Sequence, residues 1–188
     1  MIQPSFESLN HLLQGKRSVR HYKPKTVSSE DLEKVLLALS YGPTGSNARN
    51  LKCRVLSNPE EIQVLSSTVV DTLLASPDMT DLYRAHLLYN RKIGRDSIFF
   101  KAPIVIILHG EAVADMVNSA IATTYGMLAA ETLNLGTCWI GLAYMALVAN
   151  KKAREIAKIP GKVWGVFTLG HPDIKFARSA PRHPLSKL

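Results

Sequence analysis

A chain of 188 residues with 46% apolar and 20% charged side chains is long enough to bury a sizeable core, and residues 1–188 fall within the range of one domain. Ordinary Gly and Pro content and the absence of low-complexity stretches exclude a collagenous, repeat or disordered protein. The net charge of +8 gathers in residues 16–25 and 151–188 without a helix-turn-helix, zinc finger or RNA-binding aromatic motif, so a basic nucleic-acid-binding module is the weaker reading.

In chain order, Met1-Ile2-Gln3-Pro4 lacks the basic and apolar segments of a signal peptide. Leu9 to Leu13 is a short apolar segment. Residues 27–42 predict a helix, with Ser28 as N-cap, Val27 and Leu32 as a hydrophobic staple, and Gly42-Pro43 as its stop through a left-handed glycine. After the polar turn Thr44 to Asn47, Cys53 to Ser57 reads as a strand, and Asn58-Pro59-Glu60 opens a helix to about Leu74. Ser76-Pro77-Asp78 breaks that helix, and residues 80–95 have mixed helical character with an aromatic and basic composition.

Ile104 to Leu108 is an apolar run of the kind that is buried on both faces. Residues 112–135 predict a buried helix whose small side chains admit a close neighbour; its polar members argue against a membrane span, and no run of about twenty apolar residues occurs. Thr137 to Gly141 reads as a short strand, Asn150 as the cap of a helix to Ile159, and Val163 to Gly170 as a last central strand with Trp164 in the core. The proline-containing tail 171–188 predicts an extended arm. This order implies an α+β domain with a small mixed sheet flanked by helices.

No G-x-G-x-x-G or P-loop is present, so any nucleotide is held by another device. Cys53 and Cys138 form no C-x-x-C, and the scattered histidines suggest no metal site; a reducing cytoplasm is expected. The dense cluster Lys16-Arg17-Ser18-Val19-Arg20 suits a monophosphate, since guanidinium groups pair with phosphate oxygens in a fork; a solvated basic loop is the alternative that composition leaves open.

The order of motifs adds to this. Lys16-Arg17-Ser18-Val19-Arg20 with Tyr22, the capped helix from Val27, Pro43-Thr44-Gly45-Ser46-Asn47, Leu135-Gly136 to Gly141, Ile159-Pro160-Gly161 and Leu169-Gly170-His171-Pro172 occur in the sequence of segments typical of the nitroreductase family. The chain resembles that family from about residue 8 to 186, and is most similar to the nitroreductase-like domains often fused to a ferredoxin, although no ferredoxin cysteines are present.

The resemblance implies a homodimer with FMN at each subunit interface and C-terminal arms exchanged between subunits. It implies that Lys16, Arg17, Ser18 and Arg20 lie at the phosphate, ribityl and pyrimidine end of the flavin, with Arg182 and Arg178 returning from the tail to the phosphate. Pro43, Thr44, Gly45 and Asn47 would reach the flavin from the opposite subunit, and Thr137, Cys138, Trp139, Ile140 and Gly141 would pass along its ring.

No catalytic side chain is required, because the flavin itself carries hydride. The implied activity is electron transfer from NAD(P)H or a ferredoxin to a small flat oxidant such as a nitroaromatic or quinone. A flavin-binding or flavin-processing protein without turnover is the other reading. The loop departs from the family pattern at Ala48-Arg49-Asn50-Leu51, where Gln, Pro and an aromatic are usual. Arg49 is therefore either a substrate-facing cation or a surface residue. Cys138 is read as a buried structural thiol.

Overall fold

The structure, a computed structural model, describes residues 3–183, 185 and 186. Met1 and Ile2 of the N-terminal reading and Pro184, Lys187 and Leu188 of the expected arm lie outside the described residues. Among the described residues four strands, β1 (Lys52–Leu56), β2 (Ile104–Gly110), β3 (Gly136–Trp139) and β4 (Lys162–Gly170), form one sheet in the order β1-β2-β4-β3. All three pairings are antiparallel. Among the described residues the parallel component of the expected mixed sheet is a single bridge, Ser18 to Thr137, at the outer edge of β3.

Strand β2 is buried along its whole length, and alternation divides its side chains between two cores. Val105 and Ile107 face a core built with α3 (Pro59–Ala75), α4 (Asp81–Lys92), α6 (Gly141–Ala149) and α7 (Lys151–Ile156). Ile104, Ile106 and Leu108 face the opposite core with α2 (Ser29–Ser40) and α5 (Asp115–Thr132). The remaining helix, α1 (Phe6–Gly15), covers the Leu9 to Leu13 segment and buries none of its residues.

The predicted caps are observed: Ser28 Oγ accepts from Asp31 N at 3.0 Å, and Asn58 and Asn150 cap α3 and α7. Val27 and Leu32 pack against the same core.

Several expectations change for steric reasons. Gly42 is not left-handed; α2 ends on Tyr41 in a right-handed conformation, and Gly42 suits the close approach of α5, since a Cβ there would lie 3.0 Å from Ala122 Cα. Helix α5 is shorter than 112–135, since Asn134 takes the left-handed turn (φ 55°) and Gly136 already belongs to β3. Similarly, α7 stops at Ile156 rather than Ile159, with Lys158 left-handed (φ 56°). Trp164 is only partly buried, its indole N–H donating to the Gly110 carbonyl at 3.2 Å. Helix α6 carries no polar period and was not legible as an element.

Candidate functional site

The basic segment after α1 runs extended along β3. Val19 N donates to Thr137 O at 2.9 Å, and Tyr22 Oη donates to Val19 O and pairs with Thr168 Oγ1, both at 2.8 Å. Burial pushes the Tyr22 phenol far above its ordinary range, so it remains a neutral donor. Motifs separated by more than a hundred residues thus meet at one sheet edge. Lys16, Arg17, Ser18, Arg20 and Arg182 line one cleft of about 490 Å³ there, against Thr124, Met127 and Leu128 of α5 and Phe176 of the tail. Among the described residues no carboxylate lines this cleft.

The cations differ in their commitments. Lys16 Nζ donates to Arg17 O at 2.6 Å and to Thr137 O at 3.4 Å. Its pKa is lowered chiefly by burial, with Glu131 opposing that shift, so it also braces the loop. Arg17 Nη1 donates to Arg178 O at 3.3 Å and its guanidinium lies 4.4 Å from the Phe176 ring centroid, an arrangement that attracts a cation to an aromatic face. Arg178 therefore meets the segment through its carbonyl.

The tail begins against its own chain: Lys23 N donates to His171 O at 2.9 Å and Asp173 N to His21 O at 2.8 Å. Arg20 stands over Phe100, 5.9 Å from its centroid.

Beneath the cations, Cys138 is buried. Burial pushes its thiol up, with Arg20, Ser18 and Lys16 opposing the shift, so it is a poor thiolate source. Thr137 Oγ1 is buried without a hydrogen-bond partner among the described residues, and Thr137 does not line the cleft. Trp139 is half-exposed over Gly165, while Ile140 N donates to Val166 O at 2.8 Å and Gly141 starts α6. The acid-free cations and the Ser18 hydroxyl that line the cleft fit a phosphate-bearing group with polar edges.

The Pro43 to Asn47 loop lies elsewhere. Pro43, Thr44, Asn47 and Arg49 rim a cleft of about 430 Å³ floored by Leu36, Leu39, Leu51, Leu108 and Ala122. Ser46, Asn47 and Arg49 are all left-handed (φ 52°, 53° and 51°). The loop is held by Arg49 N donating to Thr44 Oγ1 at 3.2 Å, Arg49 Nε to Asn47 Oδ1 at 3.0 Å, and Gly45 N to Asn118 Oδ1 at 3.2 Å.

Sequence reasoning missed Asn118 as this anchor. It is buried, and its amide donates to Asp115 Oδ1 at 3.3 Å. It also missed Lys52 and Cys53, which line the same cleft; burial, then Glu33, pushes the Cys53 thiol up. At about 100° per residue, Thr124, Met127 and Leu128 lie about 140–240° around α5 from Ala122. The two clefts therefore open on opposed sides of that helix and do not form one site within one chain.

The sequence model described as the nitroreductase family matches residues 13–171. A protein of Archaeoglobus fulgidus that carries the name NADH dehydrogenase/NAD(P)H nitroreductase is 25% identical over 86% of this chain and 83% of its own. The crystal structure of a Bacteroides fragilis nitroreductase with bound FMN superposes with a TM-score of 0.79 at 22% identity, covering 98% of this chain and 99% of that one. That of the FMN-dependent nitroreductase NfnB from Mycobacterium smegmatis, in complex with NADPH, gives a TM-score of 0.68 at 18% identity over 89% and 88%. These structures share the fold.

Proposed function

Since the chain belongs to the nitroreductase family, we propose that it acts as a single-domain, FMN-dependent oxidoreductase working as a homodimer. The observation that carries this reading is the acid-free cationic cleft formed by Lys16, Arg17, Ser18, Arg20 and Arg182 at the edge of β3. When bound there, FMN would supply the redox chemistry, accepting hydride from a donor and passing it to an oxidant.

The protein's own task is binding and electrostatics. Arg17, Arg20 and Arg182 would pair with the phosphate and the polar edge of the ring, with Ser18 adding a hydroxyl donor and Lys16 bracing the segment. Thr137 to Gly141 would line the ring, and Pro43, Thr44, Gly45 and Asn47 would come from the second subunit. The opposed clefts on α5 support that division, because one chain cannot bring both groups to one ligand. Arg178 would help hold the tail near the phosphate.

The donor in this reading is a reduced nicotinamide, as the name of the Archaeoglobus fulgidus relative and the NADPH complex of the Mycobacterium smegmatis structure suggest for those proteins. A ferredoxin is the alternative donor. The oxidant is a small flat molecule such as a nitroaromatic or quinone. A cytoplasmic setting suits the two free thiols, Cys53 and Cys138, and among the described residues no helix is long and apolar enough to cross a membrane.

The purified protein should be yellow and should release FMN, not FAD, on denaturation. Anaerobic mixing with NADH, NADPH or reduced ferredoxin should bleach the flavin with the physiological class of donor. A colourless preparation that takes up no added FMN removes this reading.

A further inference from the structure

On the far side of Arg20 lies a cavity of about 590 Å³, walled by residues 20–22, the end of α4 and the loop from α4 to β2. Arg20, Arg95 and Lys101 line it with His21 and His86, opposite two carboxylates, Asp96 and Asp173. The Asp96 carboxylate is already committed. Its Oδ1 accepts from Ser66 Oγ at 2.7 Å and from Ile98 N and Phe99 N, each at 3.0 Å; its Oδ2 accepts from Lys101 N at 3.0 Å. Arg20, Arg95 and Lys101 outnumber the two carboxylates by one formal charge, and Asp96 is turned toward its own loop, so the cavity carries a modest net positive charge that favours anions.

The knot around Asp96 holds the loop against local preference. Phe100 and Lys101 are both left-handed, with φ of 57° and 55°, a conformation rare for residues other than glycine and often found at functional sites. This arrangement brings the Phe100 ring under the Arg20 guanidinium and Lys101 to the same wall. Tyr22, Ile93 and Phe100 add flat apolar surface. The volume is far larger than a phosphate group alone requires, whereas a nucleotide bearing a phosphate uses both the cations and the apolar wall.

We propose that this cavity binds the phosphomonoester end of a nucleotide, held by Arg95, Lys101 and Arg20, and that this nucleotide is the dinucleotide electron donor. A phosphomonoester carries more charge than a diester near neutral pH, which suits three cations, and guanidinium groups meet its oxygens in a fork. The identity of the ligand as donor rests on the flavin reading above; the nucleotide site does not. Arg20 lines both this cavity and the cleft assigned to the flavin, so the two ligands would be neighbours.

The test uses calorimetric titration of the isolated protein with adenosine 2′,5′-bisphosphate, AMP and inorganic phosphate at low salt. Arg95→Gln, Lys101→Gln and their double variant are compared with Lys25→Gln, a matched loss of charge that lines a different groove. The bisphosphate and AMP, both nucleotides ending in a phosphomonoester, should bind at least about 5-fold more tightly than inorganic phosphate, and each single variant should weaken them about 3- to 10-fold, as expected for charge pairs open to solvent.

The double variant should abolish the preference, while Lys25→Gln retains it and flavin absorbance stays the same throughout. The nucleotide assignment is overturned by equal affinity for all three probes, by inorganic phosphate binding as tightly as the bisphosphate, or by a preference that survives the double variant. Yellow protein without the preference sinks this proposal alone. Colourless protein that retains it sinks the donor assignment and supports the nucleotide site.

Discussion

Arg17 and Arg20 are close in sequence yet engage differently: Arg17 meets the tail through Arg178 O and Phe176, whereas Arg20 stands over Phe100. Replacing either by alanine removes hydrogen bonds to a charged or strongly polar group, about 1.5–3 kcal/mol each, or about 10- to 150-fold in dissociation constant. FMN titration of Arg17→Ala and Arg20→Ala should show that loss, and unchanged affinity in both would remove these residues from the flavin site.

Arg49 presents a different problem, because its Nε already donates to Asn47 Oδ1 while the residue rims a cleft that, among the described residues, contains no carboxylate. Arg49→Gln should lower turnover of a carboxylated nitroaromatic more than that of a neutral quinone, with the difference shrinking as salt rises. Equal losses with both substrates would assign Arg49 to loop support; no change would leave it a surface residue.

His109 gives a pH prediction of definite sign. Burial, then Lys52 beside it, lowers its pKa in the folded state. The unfolded chain therefore takes up the proton first, and the His109 contribution is present above about 6.5, the ordinary imidazole value, and lost as pH falls through the depressed folded value. Urea unfolding at pH 7.5 and 5 should show a smaller stability difference in His109→Gln than in the parent. An unchanged difference would assign the slope to other groups.

At the scale of elements, the docking of residues 16–20 on β3 depends on a missing side chain. A Cβ at Gly136 would stand 2.7 Å from Val19 Cγ2, and Val19 is buried, so it has little room to yield. Gly136→Ala should cost about 1–3 kcal/mol through overpacking and should weaken FMN binding as well, since the cations are attached to the displaced segment. Thermal unfolding together with flavin titration checks this; a fall in melting temperature with unaltered flavin affinity would separate packing from the site. The 43–49 loop is held in the opposite manner, by polar ties that stabilise three left-handed residues and an anchor on Asn118.

At the scale of the molecule, much apolar surface stays uncovered. Phe6, Leu9 and Leu13 of α1 are 70%, 45% and 50% exposed, and Met116, Val117 and Tyr125 of α5 are 51%, 57% and 43% exposed. Patches of this kind mark contact surfaces, and the opposed clefts also call for a second copy. The protein should be an obligate homodimer, and deletion of residues 176–188 should lose both dimer and flavin. Light scattering that finds a flavin-loaded monomer would overturn this.

Local chemistry was sufficient for the elements whose signals lie within a few residues: the caps at Ser28, Asn58 and Asn150, the staple of Val27 and Leu32, and the apolar β2 run. The cation cluster at 16–20 was legible too, because charge density does not depend on what packs against it. The sequence order of the motifs also carried the family, later matched over residues 13–171.

Tertiary packing decided the rest. The roles of Gly42 and Gly136 come from Ala122 and Val19, residues distant in sequence whose approach leaves little room for a Cβ at Gly42 and none at Gly136. Helix α6 was hidden because it is apolar on nearly every side and therefore lacks a polar period. The segment of mixed helical character, 80–95, proves to hold α4 under a Thr80 cap, while the loop after it follows the Asp96 hydrogen bonds rather than intrinsic propensity, with Phe100 and Lys101 held left-handed. Which cations share a cleft, and on which side of α5 each cleft opens, depends on helix rotation and strand order, and these arise only when the two cores close on the sheet.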